Sequence, residues 1–546
     1  MALSESTPAI QRGAPGRSGG MIRSSMIYSA FTLVSRVMGF ARDLTVTYFM
    51  GASATIAADA FNAAFSFPNL FRRIFAEGAF AAAFVPSYAR ALAQDGEEVA
   101  DVLAADAMAT LAAATLAITV AAELAMPWLV RFLIAPGFAA VPGKVHLAVV
   151  LTMITMPYLP CMAIYAHLSG VLNARNRFVL SAAAPILLNL WILGAVLPAR
   201  SPVNAALLAS TGVIAAGISQ AALLWWGVRR SGARVDIRRP RLTPQVRKLI
   251  MLAVPGAVAA SATQVNIFIS GILVSNVNGA RSWLAVCDRL YQLPQGLVGV
   301  AVGVALLPRL ARAVHAGEAV EARGALDQAV TFSMALCLPA AAALICMPYF
   351  LIDGLYTRGA FRSFDAHATA AALQQYGWGV PAFVLAQIAS RAFFAQQDTR
   401  TPMRFALVSV AVNIALGVTL FHYVGVAGIA AATSAAAWVN VVLMTATLAR
   451  RGIYRPSARA WGRLARVLCA SVALGLAMAA AAHWRLAIQA PLQGLRLGPL
   501  HAKEFAILGV TAAAMALYPA LLLASGGLGL AELRAAVRRG GAQPLP

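Results

Sequence analysis

Acidic residues are scarce in this chain. Of 546 residues only 20 are Asp or Glu, against 43 Lys or Arg, and charged residues of all kinds make up 12%. Soluble domains carry about 25% charged and about 45–50% apolar residues. Here the apolar share is 60%, which excludes an ordinary soluble globule and points to a polytopic membrane protein. Alternating segments of about ten residues are also lacking, so a membrane β-barrel is not indicated. Cysteine is sparse. Cys161, Cys287, Cys337, Cys346 and Cys469 form no CxxC pair and fall in or at the edge of apolar segments, as small buried residues do. The seven histidines form no H-E-x-x-H set, and neither a P-loop nor G-x-S-x-G occurs, which argues against ATP hydrolysis or hydrolase chemistry. No catalytic residue is expected.

What is present is a series of membrane-length apolar segments. A span needs about 20 mostly apolar residues. Fourteen candidates run 26–50, 56–89, 102–134, 145–172, 178–198, 203–228, 248–276, 282–312, 326–352, 368–396, 402–421, 424–449, 464–484 and 504–526. The net charge of +23 sits between them, so basic cytoplasmic loops explain it and nucleic acid is not an expected partner. The connection "RRSGARVDIRRPRLTPQVRK" after the sixth span holds eight basic residues and one acid, and Arg450–Arg466 after the twelfth holds six and none. "GASATI", "NVNGARS" and "HYVGV" after odd spans are short and nearly uncharged. The positive-inside rule then puts both termini and the even connections in the cytoplasm. The Gly/Ser/Pro-rich start reads as a disordered cytoplasmic tail. The first span holds Arg36, Arg42 and Asp43 with no suitable A-x-A site, unlike a cleaved signal peptide.

An internal repeat is legible. Pro157, Asn173 and Asn189 recur as Pro381, Gln397 and Asn413, each 224 residues on (381 − 157, 397 − 173, 413 − 189). "VPSYAR" at Val85 matches "LPRLAR" at Leu307, and "FPN" at Phe67 matches "LPQ" at Leu293, with offsets of 222 and 226. The predicted fold is all-α, with two parallel six-helix repeats plus two C-terminal helices. The predicted divisions are a tail at 1–25, an N-lobe at 26–228, a basic linker at 229–247, a C-lobe at 248–450, and the last two spans with a tail at 451–546. Transporters built from parallel repeats place their site between the lobes.

Charges cluster where lipid would be expected. Spans 1, 2 and 8 hold Arg36, Arg42, Asp43, Asp59, Arg72, Arg73, Glu77, Asp288 and Arg289. An arginine at mid-bilayer costs roughly 2.5–3.5 kcal/mol on insertion scales, so these groups must face one another or a watery cavity. At about 100° per residue Asp59, Asn62, Ser66, Asn69, Arg73 and Glu77 share one stripe of the second span. Arg73 and Glu77, four apart, can pair. Asp43 and Asp59 lie toward the periplasmic end, placed to close a gate with basic partners. Five arginines face four acids in this cluster, and surplus guanidinium suits a phosphate or diphosphate. A salt-bridge network that only locks helices remains the alternative. "RGAFRSFDAH" (Arg358–His367) reads as a solvated periplasmic loop.

"SRVMGFARD", "ADAF", "PNLFRRIFAEGAFAAAFVP", "DRLYQLPQGLVGVAVGVALLPRLAR" and "QQDTRTPMR" resemble, in order from about residue 24 to about residue 450, the MurJ/MviN family of lipid II flippases. That resemblance implies the multidrug/oligosaccharidyl-lipid/polysaccharide exporter fold. It also implies a multi-pass protein of the bacterial inner membrane and a transporter rather than an enzyme. The substrate it implies is undecaprenyl-diphosphate-linked MurNAc-pentapeptide-GlcNAc, moved from the cytoplasmic to the periplasmic leaflet. The family's substrate-binding arginines fall on Arg36, Arg42, Arg72 and Arg289. Its acidic positions fall on Asp59 and Glu77, within a gating and ion-pair set of Asp43, Asp59, Arg73, Glu77 and Asp288. The last two spans are expected to shape a groove for the polyprenyl tail. Membrane lipids and cell-wall synthesis proteins are the implied partners. Two features depart from the pattern. "WLAVC" before "DRL" lacks a tyrosine-rich run. Asp398 matches an acidic position of a sodium site found in some members, without identifiable further ligands. No cofactor is expected, and the membrane potential is the expected driving force. The rival readings are a flippase for another polyprenyl-linked glycan, a drug/cation antiporter of the same fold, and a non-transporting scaffold.

Overall fold

The computed structural model describes residues 18–74, 80–316, 318–494 and 501–527, with side chains excluded at 18–29, 71–74, 80–82, 254–263, 265, 297–309, 311, 314 and 315. Among the described residues the structure is helical and has no strand. The first half runs α1 (Ser18–Met50), α2 (Ala57–Ile74), α3 (Phe80–Gln94), α4 (Glu97–Leu124), the single turn α5 (Met126–Trp128), α6 (Lys144–Thr155), α7 (Tyr158–Ala174), α8 (Phe178–Val196) and α9 (Pro202–Arg230). The second half runs α10 (Pro244–Val274), α11 (Ala280–His315), α12 (Ala319–Cys346), α13 (Pro348–Tyr356), α14 (Ser363–Gly377), α15 (Val380–Ala395), α16 (Arg400–Val424) and α17 (Val426–Arg450). Then come α18 (Ala458–His483), the short α19 (Arg485–Gln489) and α20 (Ala502–Ser525).

Local sequence explains the starts and breaks. Ser201, Thr243 and Ser457 accept hydrogen bonds from Asn204, Val246 and Ala460 amides and so cap α9, α10 and α18. Pro202 and Pro244 follow at positions where the missing amide costs nothing. Pro157 and Pro348 divide segments that the sequence reads as single spans, because proline removes a helix donor.

Each of the fourteen predicted spans falls on one helix or a broken pair, except 102–134, which falls on α4, α5 and a π-helical segment at Leu129–Ile134. Among the described residues nine are long and apolar enough to cross a membrane, or ten when α14 and α15, bent by 40°, count as one. Outside that number are α1, α2 with α3, α10 and α11. Three of these four segments carry the clustered charges.

The two halves repeat a local device. Asn176 and Gln397 are the only non-glycine residues with positive φ among those described, at 59° and 60°. Each ends a helix: Arg177 N donates to Leu172 O at 2.8 Å, and Asp398 N to Phe393 O at 3.1 Å. These caps are 221 residues apart (397 − 176), so Gln397 matches Asn176 rather than Asn173. Beyond the caps Asn189 binds α1 through Ser35 O at 2.9 Å, and Asn413 binds α10 through Asn266 Oδ1 at 2.6 Å. Of the three extra residues before Asn413, one lies in the turn and two lie in the first turns of α16.

Two cores serve the first half, and a large one serves α11–α17. The basic linker is not a free tether. Ala233 and Val235 are buried with Phe84, Tyr88 and Leu172, and Arg234 N donates to Asp101 Oδ2 at 2.6 Å. α18 packs on α12, and α20 packs on α18 and α13, so the C-terminal pair lies against the second half.

Candidate functional site

The two halves meet along α10, which packs on α2 and α3, and at one end of the bundle through residues 51–56, 275–279 and 357–365. Asp59, in the first turn of α2, is fully buried. It accepts four hydrogen bonds: from Lys144 Nζ at 2.7 Å, Gly279 N at 2.7 Å, Ser282 N at 3.0 Å and Ser282 Oγ at 2.8 Å. The first amides of a helix lack internal partners and attract negative charge. A carboxylate of the first half therefore caps α11 of the second. Lys144, the first residue of α6, is equally buried and donates also to Asn278 Oδ1 at 2.6 Å, with its ammonium 4.3 Å from the Phe138 ring centroid. Asn278 Nδ2 in turn reaches Ser53 O at 2.7 Å. Gly279 (φ 89°) stands so close to Ser53 that any Cβ would lie 2.8 Å from its backbone nitrogen.

A second carboxylate works in the opposite sense. Asp365, in the first turn of α14 and fully buried, accepts from Ser53 N at 2.9 Å, Ser53 Oγ at 2.5 Å, Trp283 Nε1 at 3.0 Å and Arg362 N at 3.1 Å. Each half thus grips a loop of the other, and each buried charge is fully hydrogen-bonded. Burial makes such bonds strong and their loss costly.

Against this closed face lies a cavity of about 100 Å³ whose lining includes Arg42, Asp43, Asn62, Ser282, Arg289 and Tyr356. Arg42, 6% exposed, donates to Asp43 Oδ1 through Nε at 2.9 Å and Nη2 at 2.6 Å. Arg289 Nε pairs with Asp43 Oδ2, while its side chain stays 46% exposed. Asn62, on the predicted α2 stripe, donates to Ser282 Oγ at 3.3 Å. Arg36 is exposed on α1 and makes no ion pair among the described residues. Its guanidinium lies on Gly296 of α11, where any Cβ would overlap it. The arrangement offers one half-exposed guanidinium, Arg289, at the carboxylate it shares with Arg42, and a second, exposed one, Arg36, about two helical turns away on α1 against Gly296. It can hold an anion.

The other predicted residues divide as follows. Asp288, half-buried, hydrogen-bonds the Tyr291 side chain. Arg72 and Arg73 lie at the end of α2, with side chains outside the described residues, and Glu77 lies outside them altogether. Asp398 accepts from Thr401 N at 3.0 Å and Thr401 Oγ1 at 2.6 Å in the first turn of α16, and pairs with Arg451 Nη1 at 2.7 Å. The Thr401 hydroxyl and amide, then Arg451, hold its carboxyl well below the usual carboxylate value. Hydrogen-bond donors surround Asp398, a set that does not fit a sodium ion. Among the described residues no group of three His, Cys, Asp or Glu is placed to hold a metal.

Sequence reasoning missed Lys144, Ser53, Asn278, Ser282 and Asp365. The loop Arg358–His367 is not solvated as expected: Phe361 and Asp365 are buried. The available signal was a lone charge at the very start of an apolar segment, as in "GKVHL" and "SFDAH".

The family described as "Lipid II flippase MurJ" matches residues 46–491. A probable lipid II flippase MurJ of Rhizobium meliloti (strain 1021) is 41% identical over 514 residues, 93% of this chain and 95% of that protein. The lipid II flippase MurJ of Burkholderia cenocepacia is 34% identical over 489 residues, 88% of this chain and 93% of its own. A solved structure described as lipid II flippase MurJ in an inward closed conformation superposes with a TM-score of 0.73 at 22% identity, covering 94% of this chain and 99% of that one. An inward-facing multidrug-resistance MATE transporter of the MOP superfamily gives 0.64 at 13% identity, covering 78% and 98%.

Proposed function

The chain belongs to the lipid II flippase MurJ family, and from that premise we propose that it moves lipid II from the cytoplasmic to the periplasmic leaflet of the bacterial inner membrane. The observation that carries the mechanism is the cavity of Arg42, Asp43 and Arg289 lying directly against a face that two buried carboxylates hold shut. In this reading the closed face is periplasmic, because two of its three connections, 51–56 and 275–279, carry no charge and the alternate connections are basic.

The steps follow from the charges. With the periplasmic face latched, the headgroup enters between the lobes (26–228 and 248–450) from the cytoplasmic side. The polyprenyl tail stays in lipid, along a groove shaped by the last two spans. Arg36, Arg72 and Arg289 attract the diphosphate, and Arg42 shares Asp43 with Arg289. An arriving diphosphate competes with Asp43 for Arg289, which loosens the contact between α1 and α11. Opening requires Asp59 and Asp365 to release the facing loops. The headgroup then leaves on the periplasmic side. Surplus positive charge in the cavity lets the membrane potential reset the cycle, since one charge across 100 mV is worth about 2.3 kcal/mol. No sodium step is part of this scheme. A drug/cation antiporter needs an acidic titrating cavity, and here the cavity arginines outnumber the acid.

The test is lipid II exposure at the outer leaflet of cells depleted of their own flippase, read with an externally added lipid II-cleaving enzyme. The chain is expected to restore cleavage. Arg36→Ala and Arg289→Ala, at matched membrane levels, are expected to lower it at least tenfold. Failure of the correctly inserted wild type redirects the reading to another polyprenyl-linked glycan. Full activity of both variants removes the cationic site.

A further inference from the structure

The C-terminal helices lie outside both halves, and apolar packing would suffice to seat them. Leu474, Met478, Ala506 and Ile507 share a core with Met347 and Phe350 of the second half. Yet α20 opens on two charges that reach inward. Lys503 Nζ lies 3.0 Å from Asp353 Oδ1, and Glu504 Oε1 lies 3.3 Å from Arg358 Nη2. Asp353 and Glu504 are 7% and 9% exposed. A lysine in the first turn opposes the helix dipole, so its place there is accounted for by Asp353 and not by the helix.

Arg358 leads directly to the closed face. It also donates to Leu355 O at 2.7 Å. The next residue, Gly359 (φ 59°), packs so tightly on the end of α1 that a Cβ would strike the Tyr48 carbonyl. Ala360 N donates to Tyr48 O at 2.8 Å. Arg362 N donates to Asp365 Oδ2, whose other oxygen holds Ser53. Three residues therefore separate Arg358, in the ion pair with α20, from Arg362, which makes the latch contact, and each end is fixed. A segment this short, with one left-handed residue, cannot shift at one end and keep its contacts at the other.

We propose that α20 anchors the gate: Lys503 and Glu504 are positioning residues that fix the loop at 357–362 through Asp353 and Arg358, and so hold the closed face shut. Movement of the C-terminal pair relative to α13 is thereby transmitted to the Ser53–Asp365 contact. This rests on the reading of the closed face as a transport gate.

The experiment measures distances between spin labels at Ala54→Cys and Phe364→Cys, both exposed, in lipid nanodiscs and with the five native cysteines replaced. The wild type is expected to give one short distance. Asp59→Asn, which tests the gate itself, is expected to add a long one. Glu504→Gln is expected to raise the long-distance population at least threefold, and the charge swap Glu504→Arg with Arg358→Glu to return it. Lys503→Met probes the second pair should Glu504→Gln not fold, with opening expected again. If Asp59→Asn opens the face while Glu504→Gln and Lys503→Met do not, the anchor is wrong and the gate stands. If the swap fails to re-close the face, the route through Arg358 is wrong. If Asp59→Asn changes nothing, the gate reading falls and the anchor with it.

Discussion

Asp59 shows how much one buried carboxylate can decide. It neutralises Lys144, caps α11 and joins the two halves, all with two oxygens. Replacing it with Asn leaves Lys144 charged, buried and short of a counterion. Removing one partner of a buried ion pair costs about 3–5 kcal/mol, whereas replacing both with apolar residues is often nearly neutral. Asp59→Asn is therefore expected to melt well below wild type in detergent, and Asp59→Leu with Lys144→Met to recover most of the loss. A wild-type melting temperature for Asp59→Asn would show that the pair bears no load. Sequence alone placed Asp59 on a polar stripe at the periplasmic end. It did not identify Lys144, because the two are 85 residues apart and only packing brings them together. Arg42 has a similar history. Its sequence context marks it for a ligand, and the structure adds that Asp43, the next residue, already occupies it.

At the scale of the element, apolar runs located the helices, nine or ten of which are long and apolar enough to cross a membrane among the described residues. The 224-residue offset was correct for Asn189 and Asn413 and three residues off at the caps, where the turn holds one extra residue and the start of α16 two. Asp398 belongs to this scale. Its carboxyl is held down by Thr401 and Arg451, so it is charged in the folded state at lower pH than in the unfolded chain. Its stabilisation of the start of α16 is complete above about pH 4, the ordinary carboxylate value, and drains away as pH falls further toward the depressed folded value. Hydrogen exchange at the Thr401 amide is expected to be slower in wild type than in Asp398→Asn at pH 6, with the difference shrinking below pH 4. Equal protection at pH 6 would remove the capping role.

For the whole molecule, the proposed cycle requires the closed face to part. A reductant-cleavable bismaleimide joining Ala54→Cys to Phe364→Cys is expected to stop lipid II exposure, and reduction to restore it. Undiminished exposure with the cross-link in place would rule out opening at this face. The linker belongs here too. Composition marked 229–247 as a basic linker, and the structure adds that Arg234 and Val235 dock it onto the first half, so α10 starts from a fixed point.

The sequence by itself determined the class, the spans, the repeat and the cluster of charges in spans 1, 2 and 8. These are local or periodic properties, set by the cost of apolar surface in water and of charge in lipid. Tertiary structure alone decided which charges meet. Lys144 and Asp365 stand singly at helix starts, far in sequence from Asp59 and Ser53. An ion pair or cap across two halves depends on the directions in which separate helices bring their ends together, and no spacing along the chain encodes that.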